Sequence, residues 1–215
     1  MDTNHIVNGL ITYLELIVLL TFHEFAHAWA GWKLGDPTAK ALGRLSLNPL
    51  VHIDPIGTVL LPLFQIFGPS GITRFVIGWA KPVPFDPAQL RNRRRDETLI
   101  AMAGPAMNLV LAVALIALAR VASIFNLLDA ADLFFNTAEL SLLLCFFNLI
   151  PIPPLDGSHV MRHVVGMSYE TYWNLCRFGF IAIIIVINIP GVRDVLRFFI
   201  DGTTSILMFC FHFPS

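Results

Sequence analysis

Charge is scarce in this sequence. Asp, Glu, Lys and Arg make up only 13% of its 215 residues, against about 25% in soluble globular domains. So little charge argues against a soluble protein. The net charge is −1, so nothing global points to a nucleic-acid partner. Cysteine is sparse as well. Cys145, Cys176 and Cys210 sit in apolar surroundings without CxxC pairing, which excludes a disulfide framework and a cysteine metal site and leaves them as small buried apolar residues. The first apolar segment lacks a basic region ahead of it, so it is expected to be a permanent helix rather than a cleaved signal. Internal repeats and low-complexity linkers are absent. The simplest organisation is one domain over residues 1–215, with a core of about 6–166 and C-terminal helices over about 171–213.

What the sequence has is apolar length. Apolar residues reach 56%, the mean hydropathy is +0.70, and several stretches match the ~20 residues needed to cross a bilayer. The expected fold class is an all-α membrane protein, a polytopic bundle of about five to six transmembrane helices. Helices are predicted over about Ile6–Trp32, Thr98–Arg120, Leu133–Ile150 and Thr171–Ile189. A last apolar segment, Val192–Phe213, carries Arg193, Asp194, Arg197 and Asp201 and fits either a span or an interfacial helix. Gly35-Asp36-Pro37 stops the first helix. Between the first and second core helices, Ile72–Pro87 combines strand-forming residues with the spaced prolines of KPVPFDP, which predicts a small β-hairpin or extended edge.

Nine of the 14 basic residues fall in segment 33–96, which the positive-inside rule places in the cytoplasm. Both ends of that segment then lie on one side. Ile56–Phe67 therefore cannot be a full crossing and reads as re-entrant or interfacial.

The sharpest chemical signal is His23-Glu24-Phe25-Ala26-His27, an HExxH motif near the end of the first helix. Helical positions four apart share a face, so both imidazoles can reach one zinc ion. Glu24, beside His23, is placed to take a proton from a water that the metal acidifies. Three ionisable residues in an apolar helix are costly in a bilayer unless they pair or coordinate something. A hydrolytic zinc site usually takes three protein ligands and leaves one position for water. Asp156, after the helix that returns toward the cytoplasm, is the best candidate for the third. An Asp capping the helix that begins at Gly157 is the alternative.

HEFAH on a membrane helix, followed far downstream by NLIPIPPLDG, resembles the site-2 proteases, the intramembrane zinc metalloproteases. Gly104-Pro105-Ala106-Met107-Asn108 is similar to the family's GPxxN segment, and NPLVHIDPIGT and GWAKPVP look like its small, compact branch without a PDZ or CBS domain. The resemblance covers about Leu14–Val165. It implies one zinc ion held by His23, His27 and the LDG aspartate Asp156, with Asn148 beside the scissile peptide. It also implies a plasma-membrane location with the active site toward the cytoplasm.

The expected activity is an endopeptidase acting on transmembrane protein or peptide substrates in the lipid bilayer, with Ile72–Pro87 offering an edge for strand addition. A non-proteolytic zinc-binding membrane protein, a transporter or scaffold, is the alternative from another class. Asn148 fits an oxyanion-type donor and, almost equally, a structural hydrogen bond. Asn108 reads as a bridge between helices. His52 and Asp54 read as a loop pair capping the re-entrant segment before a second metal site. His159 reads against a fourth ligand, which would close the water position. Arg91–Arg95 read as a topology signal and a contact for lipid phosphates. Oligomeric state, substrate and trigger are not encoded in any recognisable feature.

Overall fold

The computed structural model describes residues 3–67 and 78–213. It forms two compact units, residues 1–91 and 92–215.

The first unit is organised by α1 (Thr3–Leu34). Its 32 residues span about 48 Å at 1.5 Å per residue, more than the ~30 Å hydrocarbon core. One face buries Leu16, Leu19, Leu20, His23, Ala26 and Ala30, the three-to-four spacing of a helix stripe. Gly35, at φ +108°, closes the helix in a conformation that disfavours any residue with a Cβ. Asp36 follows, fully buried. Its carboxylate accepts the backbone N–H of Thr38 at 2.9 Å and that of Asp86, 50 residues on, at 2.7 Å. A short α2 (Thr38–Ala41) comes next. Asp54 then accepts the N–H groups of Ile56 and Gly57 at 3.0 and 2.7 Å, starting a wide helical turn over Pro55–Leu60 that runs on into α3 (Leu61–Phe67). This apolar helix is too short to cross a bilayer, and Asp54 caps it as its sequence position suggests.

The expected β-hairpin is not found among the described residues. Among the described residues there is no strand, and Ile72–Ile77 lie outside them. From Gly78 to Asp86 the backbone is irregular, and its hydrogen bonds are single rather than laddered. Trp79 N–H donates to Gly57 O at 3.2 Å, Thr58 Oγ1 to Trp79 O at 2.7 Å, and Lys81 N–H to His52 O at 2.8 Å. Pro82, Pro84 and Pro87 remove the donors that a ladder needs.

The second unit is built on α4 (Arg93–Ile124) and α5 (Leu128–Asn148), joined by a tight turn with Asn126 at φ +57°. Asn92 Oδ1 accepts the Arg95 N–H, and Asp96 reaches back to the Asn92 N–H at 2.8 Å, a reciprocal cap that starts α4 inside the arginine run. Ala112, Ile116, Ala138 and Leu142 form a fully buried seam between these helices. Ser141 Oγ donates to Asn108 O at 2.7 Å across it, so Asn108 does lie at a helix–helix contact. Beyond Pro151–Leu155 come α6 (Gly157–Val164), α7 (Tyr169–Cys176), α8 (Gly179–Ile187) and α9 (Pro190–Cys210).

The count of spans is smaller than expected. Among the described residues, Ile6–Leu34, Arg93–Ile124 and Leu128–Asn148 are long and apolar enough to cross a membrane. A fourth span exists only if the pair Tyr169–Cys176 and Ile181–Ile187, bent by 71°, is one broken crossing. The charged residues of α9 leave it outside this set. Five to six crossings are therefore not supported.

Candidate metal centre

α1 brings His23, Glu24 and His27 onto one helical turn. The two Nε2 atoms lie 3.0 Å apart, with the rings nearly perpendicular at 80°. Two nitrogens bound tetrahedrally at the usual Zn–N distance stand about 3.3 Å apart, so the pair fits a metal edge. All three side chains are buried, with residual exposures of 4%, 8% and 7%. An apolar helix that buries these groups shields them from lipid, as a coordinating site requires.

Arg44 is the neighbour that the sequence left as one basic residue among many. It is 6% exposed and donates through Nη2 to the Lys81 carbonyl. Burial lowers its pKa, and the Glu24 carboxylate opposes that shift. Arg44 thus places a buried cation in the electrostatic field of Glu24. No motif marks Arg44; the only signal is an arginine shortly after an HExxH helix.

The other predicted residues stand in the second unit. Asp156 occupies the N-cap position of α6, yet its side chain makes no capping hydrogen bond. Gly157 sits close against the preceding chain, since a Cβ there would lie 2.2 Å from Leu149 O. Asn148, the last residue of α5, donates through Nδ2 to Leu144 O at 2.9 Å, a bond within its own helix. His159 Nε2 lies 3.0 Å from Tyr172 Oη, which also meets Ser158 Oγ at 3.0 Å. This chain of contacts anchors α6 to α7.

The helices and the HExxH turn describe a membrane protein that carries the sequence motif of a metallopeptidase. Sequence relatives sharpen that class. Residues 124–187 match the family Peptidase family M50. YwhC of Bacillus subtilis (strain 168), provisionally named a zinc metalloprotease, is 35% identical over 192 residues, covering 85% of this chain and 83% of its own. Rip2 of Mycolicibacterium smegmatis, which bears the same provisional description, is 28% identical over 209 residues, 89% and 74% of the two chains. The chain belongs to peptidase family M50. No solved structure matches it.

Proposed function

We propose that this zinc metalloprotease cuts peptide bonds in or near the transmembrane segments of membrane-protein substrates. The observation that carries the proposal is the buried HExxH pair on a helix apolar enough to cross a bilayer. A protease whose metal ligands lie on such a helix meets its substrate inside or at the edge of the membrane. His23 and His27 supply two ligands and Asp156 the third, around one zinc ion. Zinc, when bound, polarises the scissile carbonyl and lowers the pKa of water from about 15.7 toward 7. Glu24 accepts the proton of the attacking water and delivers it to the leaving amine. Asn148 offers its amide to the substrate's peptide group once the bond to Leu144 O is exchanged. The site faces the cytoplasmic side of a plasma membrane, as the concentration of basic residues in segment 33–96 suggests.

The test compares zinc content and cleavage of a model transmembrane substrate for wild type, Glu24→Gln and Asp156→Ala. Glu24→Gln should keep zinc and lose cleavage, and Asp156→Ala should lose both. Zinc-loaded wild type that cuts no membrane segment would favour a non-proteolytic role instead.

A further inference from the structure

The arginine run at the start of α4 does more than mark topology. Glu97, with a side chain 0% exposed, accepts from Arg93 Nε at 3.0 Å and from Arg162 Nη2 of α6, and His163 Nε2 lies 3.0 Å from the same carboxylate. Arg94 Nη2 donates to the His163 carbonyl at 2.7 Å. Two guanidinium groups thus meet one carboxylate with a third close by, leaving an excess positive charge. Beside them opens a cavity of about 350 Å³ lined by Arg93, Arg94, Arg162, His163 and Tyr169, with Gly166 at its edge. The Tyr169 ring carries Arg93 and Arg162 at 5.4 and 5.1 Å, which fixes the two guanidinium planes.

Arg162 is the telling residue. It is only 4% exposed, it lines this cavity, and its Nη1 is buried without a hydrogen-bond partner. A buried guanidinium nitrogen lacking an acceptor is costly, and native structures seldom leave one so. An anion able to take donors from several directions would supply the missing acceptor and balance the excess positive charge. A carboxylate offers two coplanar oxygens that a single guanidinium fork can saturate. A phosphate presents tetrahedral oxygens that several arginines can share.

We propose that this cavity is a phosphate-binding site, filled by the headgroup of an anionic phospholipid. The lipid source is favoured by position, because Arg93 is the first residue of a helix apolar enough to span. Charged side chains at such a helix end stand at headgroup depth. The site shares no residue with the proposed zinc centre, and its occupation is read by binding rather than by cleavage.

The experiment uses the full chain, purified in detergent and stripped of lipid. Native mass spectrometry and thermal melts are recorded with phosphatidylglycerol, phosphatidylcholine and inorganic phosphate. Wild type should retain one phosphatidylglycerol and melt higher with it than with phosphatidylcholine. Arg93→Gln/Arg94→Gln spares the buried Glu97–Arg162 pair and should weaken the binding about tenfold or more. Arg162→Gln is made together with Glu97→Gln, so that neither charge is left alone, and should weaken it similarly. Inorganic phosphate that stabilises wild type and displaces the lipid, with the same loss in the variants, would keep the phosphate site and overturn the lipid as its occupant. Equal retention of both lipids by wild type, or binding unchanged in both double variants, would overturn the site itself.

Discussion

A Cβ built on Gly157 would stand 2.2 Å from the carbonyl oxygen of Leu149 and 2.5 Å from its carbon. The obstruction is backbone, not a side chain that can turn away. Gly157→Ala must therefore displace the start of α6, at a cost of about 1–3 kcal/mol. Asp156 is the adjacent residue, so the displacement should also lower zinc occupancy. Thermal melts and metal analysis of purified Gly157→Ala check both effects, and a variant that melts and binds zinc like wild type would show that the contact relaxes freely.

Removal of the metal gives a second expectation. A ligand that binds only the folded state stabilises it by about 2.7 kcal/mol at a hundredfold excess over Kd. Chelation should lower the melting temperature of wild type, and added zinc should restore it. Glu24→Gln should keep this response, since Glu24 is assigned no ligand role, whereas His27→Ala should lose it. Differential scanning with and without chelator separates the two.

The Glu97 carboxylate yields a third. Glu97→Gln removes the counter-charge of Arg162 while leaving that guanidinium buried at 4% exposure. Breaking one partner of a buried pair costs about 3–5 kcal/mol. Adding Arg162→Gln should recover much of the loss, because no buried charge is then left without its partner. Denaturation of both variants measures the recovery, and a double variant as unstable as the single one would contradict this account.

His163 sets a pH dependence. Burial, reinforced by Arg162, holds its pKa below the ordinary 6.5, although Glu97 pulls the other way. The unfolded chain therefore takes up the proton first as pH falls. The contribution of His163 to stability is complete above about 6.5 and declines as pH drops from there to the lower folded-state pKa. His163→Gln, which keeps a donor near Glu97, should flatten the slope of melting temperature against pH below about 6.5. An unchanged slope would assign the titration to other groups.

The legible parts of the sequence were those with uninterrupted local signals. α1 and its HExxH turn follow from apolar continuity and a four-residue spacing, and α5 from its own apolar run. α4 begins at Arg93, earlier than the apolar pattern indicated, because Asn92 and Asp96 cap a charged first turn that hydropathy alone reads as loop. Tertiary contacts decided the rest. The run from Tyr169 to Ile187 looks continuous but bends by 71°. Gly179 lies against Pro153 and Pro154, where a Cβ would come 2.4 Å from Pro154 Cδ. Strand propensity near Trp79 was outweighed by isolated bonds to Gly57 and Thr58, over 20 residues earlier. Arg162 and Glu97 are 65 positions apart, and no local pattern couples them.

The Asp36 carboxylate, by gripping the Asp86 N–H, fastens two points 50 residues apart. In polymer terms this is a ring closure, and its entropy grows only with the logarithm of contour length. Doubling the enclosed chain adds about 0.6 kcal/mol. One carboxylate can thus hold the end of α1 in place whether the enclosed chain is short or long. Evolution is then free to vary that length while the turn carrying His23 and His27 stays where it is.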